Sequence, residues 1–423
     1  MPAKGVLNNK EQLKAHYDAV IIGGGIQGAG CAQALVARGF SALLIEKSNV
    51  GTATSSRSSK LIHGGLRYLE TYQFSLVKKS IAERSTLQNI APSLVESRKF
   101  YLPVYKKQRL KRWQLAIGLF LYSALGGFKA EARFTRVPKA EWGKLGCIQE
   151  QGIKQQGLVD VFQYWDGQTD DFLLTQAVIR SAVSMGCDVM EETAFEKASM
   201  NSDQQVCVSA IHQEQSFDVS CKVIINAAGP WIDRIQAAID FAPQGPTVDL
   251  VQGSHIEFDA PLGEGIFYVE SPDDQRAVFI MPWHGGVLVG TTEKKFQGDP
   301  ANCEPSDDEI EYLKKTLFHY FPDYKGQYTK AWAGLRVLPS NEPTGEQSAV
   351  QNLTRPFSRQ ARDTILFESD PKQPRAIGLY GGKLTAYRVT AKLVADLAEK
   401  TLGPAKIKAN TANIPLPSAS KAM

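Results

Sequence analysis

The chain has 423 residues, 43% of them hydrophobic, enough for two or three domains with real cores. Its 48 basic and 44 acidic side chains leave a net charge of +4, which argues against a nucleic-acid binder driven by bulk charge. The six scattered cysteines form no C-x-x-C pair and no metal-ligand spacing, the N-terminus shows no secretory pattern, and no apolar run reaches the ~20 residues that span a bilayer. The expectation is a reduced, cytoplasmic, metal-free globular protein.

In chain order, the first predicted unit is β-α-β. Ala19–Ile22 is an apolar strand ending in glycines, Ile26–Arg38 a helix stopped by Gly39, and Ala42–Ile45 a second buried strand. Gly23-x-Gly25-x-x-Gly28 falls on the first turn, and Glu46 ends the second strand. The first glycine permits the tight turn, the second lets a pyrophosphate approach the helix N-terminus, the third lets helix and sheet pack, and the acid can accept from a ribose hydroxyl. This pattern predicts dinucleotide binding without separating NAD from FAD.

Next comes SSRSSKLIHGGLRYLE, Ser55–Glu70, in which Leu61, Ile62, Leu66 and Leu69 are threaded between serines and basic side chains. A stretch half apolar and half polar suits the wall of a binding site. Phe74, Val77 and Ile81 then recur at helical spacing. The basic run Lys106–Arg112 precedes the apolar Trp113–Phe128, which reads either as an interfacial helix or as a buried one. DDFLLTQAVIRSAVSMG predicts a helix capped by Asp170 or Asp171 and closed at Gly186, and Val223–Asn226 a buried strand. From Phe241 to Pro356 the chain is rich in Pro, Gly, aromatics and short alternating runs, the composition of an antiparallel sheet. A second glycine turn, GLYGGKLT, opens the last helix, Leu384–Lys400. Its positive end, with Lys383 nearby, suits the flavin N1–C2=O edge, which gains charge on reduction, and so favours FAD over NAD.

VIIGGGIQGAG, TSSRSSKLIHGGLRYLE, NAAGPW, QGSHI, VGTTE, GLR and GGKLTAYR occur here in the order and at roughly the spacing found in FAD-dependent glycerol-3-phosphate dehydrogenases. The chain resembles that family, within the D-amino-acid-oxidase-like flavoproteins, from Asp18 to about Lys400. It departs at GLRVLP and at Ala386, where the family's usual threonine is lost.

The resemblance implies an α/β fold: a doubly wound, Rossmann-like FAD domain from 17–105, 166–235 and 361–402, and a substrate domain with an antiparallel sheet from 106–165 and 236–360. Residues 403–423 would be a C-terminal tail. It implies FAD held by Gly23, Gly25, Gly28, Glu46, Thr54, Ser55, Ser59, Lys60, His63, Gly64, Gly229, Gly382, Lys383, Leu384 and Thr385. A phosphorylated polyol would be held by Arg67, Tyr68, Arg336, Arg362 and Lys383, since guanidinium forks suit a phosphate near −2 charge. His255, with Arg336, would act on the alcohol, an imidazole being suited to take its proton. The expected reaction is oxidation of sn-glycerol 3-phosphate to dihydroxyacetone phosphate, with electrons passed to quinone by a protein peripheral on the cytoplasmic face of the membrane and able to form a homo-oligomer. The alternatives are a glycerol-3-phosphate oxidase, a 2-hydroxyacid dehydrogenase, an amino-acid oxidase, or a flavin-binding homologue without turnover.

Overall fold

The computed structural model describes residues 10–128, 133–146, 152–242, 245–340 and 364–418. Its first sheet follows the path Ile365–Glu368, Ala376–Tyr380, Gln215–Asn226, His16–Ile22, Ala42–Ile45, Asp188–Met190. All its successive pairings are parallel except that of the Ile365–Glu368 edge strand. Ala19–Ile22 and Ala42–Ile45 are buried along their length because both faces of the sheet are covered. On one face lie the helices Ile26–Ala37, Asp171–Ser184 and Tyr387–Leu402. On the other, Val20, Ile22, Leu43 and Ile45 meet Val206, Val208 and Ala210, which belong to the strand antiparallel to the outer half of Gln215–Asn226.

The predicted β-α-β unit is present, its helix ending at Ala37 with Gly39 at φ 83°. Asp170 caps the helix Asp171–Ser184, accepting from the Leu173 N–H at 3.0 Å. The last helix starts one 3-10 turn later than its sequence pattern suggests, at Tyr387 after Leu384–Ala386.

Among the described residues the second sheet has ten strands and is antiparallel except where Ile266–Glu270 meets Val95–Tyr105. The turn-rich chain after Phe241 supplies much of it. Val248–Phe258 pairs throughout with Tyr328–Pro339, and its inner half also pairs with Gly286–Gly290. Two long strands come from earlier in the chain, Val95–Tyr105 paired with Leu158–Thr169. Helix Asp307–Tyr320 packs Leu313 and Leu317 onto this sheet.

Helix Arg112–Leu125 is two-faced. Leu119, Tyr122 and Ser123 are buried, whereas Trp113, Ile117 and Phe120 are 62%, 52% and 54% exposed. The buried reading holds for one face; the other is apolar and exposed. No described helix is long and apolar enough to cross a membrane.

Candidate active site

A cavity of about 500 Å³ is lined by the ends of the parallel strands, by the Ser55–Tyr68 run and by the second sheet. At its first end lies the glycine turn. A Cβ on Gly28 would overlap the Gly23 carbonyl, so the third glycine is the packing residue its place in the motif requires. The Glu46 carboxylate is held on both oxygens: Oε2 accepts from the Gly24 N–H at 2.6 Å, and Oε1 from the Ser48 N–H and hydroxyl at 2.9 and 3.0 Å. Ser55 Oγ accepts from the Ile26 N–H at 2.9 Å, and Thr54 donates to the Leu335 carbonyl at 3.3 Å, tying this turn to both sheets.

The second glycine turn, with Gly381 and Gly382 at φ 85° and 127°, closes the cavity beside Gly229, Leu384 and Thr385. Gln27 bridges the two turns by donating to the Lys383 carbonyl at 3.3 Å, and its amide oxygen is buried without a hydrogen-bond partner. Lys383 Nζ lies 4.5 Å from the centroid of the Tyr68 ring. Tyr68 and Arg67 both line the cavity, as does His63.

From the second sheet come His255 and Arg336. His255 is buried, its Nε2 hydrogen-bonded to Ser59 Oγ at 3.0 Å. A side chain at Gly290, its register partner, would overlap the imidazole. Burial, and then the charges of Arg336 and Lys60, hold the His255 pKa well below the usual 6.5, so the ring is neutral. Arg336 Nη2 donates to Thr291 Oγ1 at 3.3 Å, while Nη1 lies 3.7 Å from Glu293 Oε1. Glu293 is held from behind by Arg276, whose Nη1 and Nη2 donate to its carbonyl at 3.0 and 2.9 Å.

Two residues expected along the cofactor stand elsewhere. Lys60 is buried outside the cavity lining, its ammonium donating to Asp171 Oδ1 and the Ser56 carbonyl, each at 2.6 Å. An ammonium in the interior needs a carboxylate, and Asp171 at the helix start supplies it. Gly64 is outside the cavity lining and packs against Tyr122, its N–H donating to Asp166, which does line the cavity. Arg362 lies outside the described residues.

Glu309 was not singled out by sequence reasoning. Its carboxylate accepts from Gln252 Nε2 at 2.7 Å, Ser254 Oγ at 2.8 Å, Thr292 Oγ1 at 2.5 Å and the Ser306 N–H at 3.1 Å. It thereby ties the strand bearing His255 to the loop that holds Arg336. Its only sequence signal, S-x-x-E at Ser306–Glu309, announces a helix start and says nothing of the strand behind it. Glu293 and Thr291 were visible in VGTTE as a motif, without a partner.

The profile of the family described as FAD dependent oxidoreductase matches residues 18–397. The aerobic glycerol-3-phosphate dehydrogenase of Staphylococcus aureus is 31% identical over 395 residues, 91% of this chain and 67% of that protein. Among solved structures, a Bacillus halodurans glycerol-3-phosphate dehydrogenase complexed with FAD superposes with a TM-score of 0.72 at 24% identity, covering 96% of this chain and 68% of that one. An L-α-glycerophosphate oxidase from Mycoplasma pneumoniae with FAD bound gives 0.71 at 17%, covering 96% and 100%. The structural likenesses carry the fold; the profile and the sequence identity carry the relationship. The chain belongs to the FAD-dependent oxidoreductase family and, within it, to the glycerol-3-phosphate dehydrogenases.

Proposed function

We propose that the chain oxidises sn-glycerol 3-phosphate to dihydroxyacetone phosphate. The observation that carries this reading is the meeting of Arg67, Arg336 and Lys383 with a buried, neutral His255 around one cavity. Three cations suit a phosphate near −2 charge better than a single carboxylate, which weighs against an amino-acid or hydroxyacid substrate.

The residues present fit FAD. The Gly23–Gly28 turn leaves its helix start open to a pyrophosphate, Glu46 is held rigid where a ribose hydroxyl would donate, and the orphaned Gln27 oxygen suits a hydroxyl donor at the junction of the two turns. Thr54, Ser55, Ser59, His63, Gly229 and Gly382–Thr385 complete its wall. Bound FAD supplies the two-electron acceptor that takes the C2 hydride. Arg67, Tyr68, Arg336 and Lys383 hold and orient the phosphate, and His255 takes the hydroxyl proton through a ring kept neutral for that purpose. Glu293 and Thr291 fix the Arg336 fork.

Quinone as the final acceptor, and docking on the cytoplasmic membrane face, are supported by the exposed apolar face of helix Arg112–Leu125. We divide the chain between the two sheets, as FAD and substrate domains, with Val95–Tyr105 assigned to the latter by its pairing. Anaerobic mixing of the FAD-loaded protein with glycerol 3-phosphate tests the central reading. Loss of the oxidised flavin absorbance supports it, and an unchanged spectrum refutes it. Reoxidation by a quinone analogue against dissolved oxygen then separates dehydrogenase from oxidase.

A further inference from the structure

Gly64 opens the Gly64–Gly65 turn and faces the interior. A side chain there would overlap the Tyr122 hydroxyl and crowd Ile81. Its N–H donates to Asp166, 3.1 and 3.2 Å from the two carboxylate oxygens. Asp166 also accepts from Arg84 Nη1 at 2.7 Å, from the Tyr122 hydroxyl at 3.0 Å and from the Gly167 N–H at 3.2 Å. Arg84 Nη1 lies 3.2 Å from the Tyr122 oxygen and 3.0 Å from the Trp165 carbonyl. Arg84, Tyr122 and Asp166 are all essentially without solvent exposure.

Four separate pieces of chain meet here: the Gly64–Gly65 turn, helix Phe74–Ile90 through Arg84, helix Arg112–Leu125 through Tyr122, and strand Leu158–Thr169 through Asp166. Asp166 and Arg84 cancel each other's charge. Burial and the Asp166 carboxylate push the Tyr122 hydroxyl well above its usual range, so it remains a donor at all working pH values. The segment after the turn packs Tyr68 and Leu69 into the same core cluster as Ile81 and Tyr122. Gly65 adopts φ 77°, and the short 3-10 segment Leu66–Thr71 follows at once, carrying Arg67 and Tyr68 into the cavity. The anchored amide at Gly64 fixes the start of this segment, and so bears on where both side chains stand.

We infer that Tyr122 and Asp166 are positioning residues for the substrate: they hold the Gly64–Gly65 turn and so place Arg67 and Tyr68, which makes helix Arg112–Leu125 a structural part of the substrate site. The inference rests on the reading of Arg67 and Tyr68 as phosphate-binding. It extends that reading to a helix with no residue in the cavity lining except through this network.

Tyr122→Phe keeps the ring and removes one hydroxyl. In the full-length, FAD-loaded protein, the dissociation constant of inorganic phosphate, measured by calorimetry without turnover, and the KM for glycerol 3-phosphate should both rise about five- to twentyfold, the effect of one buried hydrogen bond. The kcat with a soluble dye should change less than about twofold. Val178→Ala, in the core under the first sheet and outside this network and its packing cluster, should lower the melting temperature and leave phosphate binding unchanged. A Tyr122→Phe protein that melts earlier but binds phosphate as tightly as wild type would overturn the inference, as would an equal loss of binding in Val178→Ala. If wild type binds phosphate but is not reduced by glycerol 3-phosphate, the functional reading fails while the phosphate titrations still judge this one. Absence of phosphate binding in wild type overturns the inference as well.

Discussion

The imidazole of His255 lies flat on the indole of Trp332, with 4.2 Å between ring centroids and 16° between planes. Trp332 is fixed in turn by donating from its indole nitrogen to Glu257 at 2.9 Å, and Lys60 Nζ stands 4.9 Å from the centroid of the same ring. The stack gives the imidazole an apolar face, and the Lys60 charge stands close to the same indole. Both disfavour the imidazolium.

The pH dependence follows in sign. The folded protein keeps His255 neutral where the unfolded chain, with an ordinary pKa near 6.5, takes up a proton. Below that pH the unfolded state binds more protons at this site, so stability falls with pH by up to ~1.4 kcal/mol per unit. Urea midpoints measured between pH 7 and pH 5 should fall more steeply for wild type than for His255→Asn. In the free enzyme the acid limb of kcat/KM should lie below pH 6.5. An acid limb at 6.5 or above would show that His255 titrates as though exposed.

Arg336 offers a planar fork, one arm near Thr291 and the other near Glu293. Arg336→Lys keeps the charge and loses the fork, at a cost of about 1.5–3 kcal/mol, or a ten- to hundredfold fall in kcat/KM for glycerol 3-phosphate. Glycerol, which has no phosphate, should suffer almost no added loss. Equal losses with both substrates would place Arg336 at the alcohol or the flavin instead.

Glu309 is buried, and burial alone would raise its pKa. The bonds from Thr292, Ser306 and Ser254 together hold it below the usual 4.5. Its stabilising contribution is therefore complete above pH 4.5 and is lost as pH falls through the folded value. Glu309→Gln sets an amide NH₂ against donors and should destabilise the protein by about 2–3 kcal/mol. Because Ser254 and Thr292 flank His255 and Thr291, kcat should fall about tenfold, measured by steady-state assay below the melting range. A destabilised enzyme with unchanged kcat would make Glu309 purely structural.

On helix Arg112–Leu125, Arg109 just upstream pairs with Glu70 at 2.9 Å, and Arg112 lies 3.8 Å from Asp160. Their charges are partly committed within the protein, so docking on lipid should rest chiefly on Trp113, Ile117 and Phe120, aided by Lys107 and Lys111. Ile117→Ser with Phe120→Ser removes two side chains each worth up to ~1.5–3 kcal/mol when buried in lipid. Cosedimentation with anionic vesicles should fall at least tenfold while soluble-dye activity stays at the wild-type level. Undiminished cosedimentation would assign this face another role. Lys107→Gln with Lys111→Gln should give a smaller, salt-sensitive loss of ~1 kcal/mol per cation.

What the sequence determined by itself was local. Gly23, Gly25, Gly28 and Glu46 are readable because a turn, its helix and its acid lie within one β-α-β unit, where spacing follows from backbone geometry. The Asp170 cap and the alternating strands after Phe241 are legible for the same reason. Tertiary structure decided which polar groups face the cavity. Lys60 in a serine-rich run has the look of a ligand-binding cation until Asp171, 111 residues on, neutralises it. Gly64 is claimed by Asp166 across 102 residues, and Ser254 by Glu309 across 55. Each of these partners is chosen by strand pairing and helix packing. The cost of leaving a buried charge or amide unmatched enforces the choice, and that cost has no periodicity for the sequence to display.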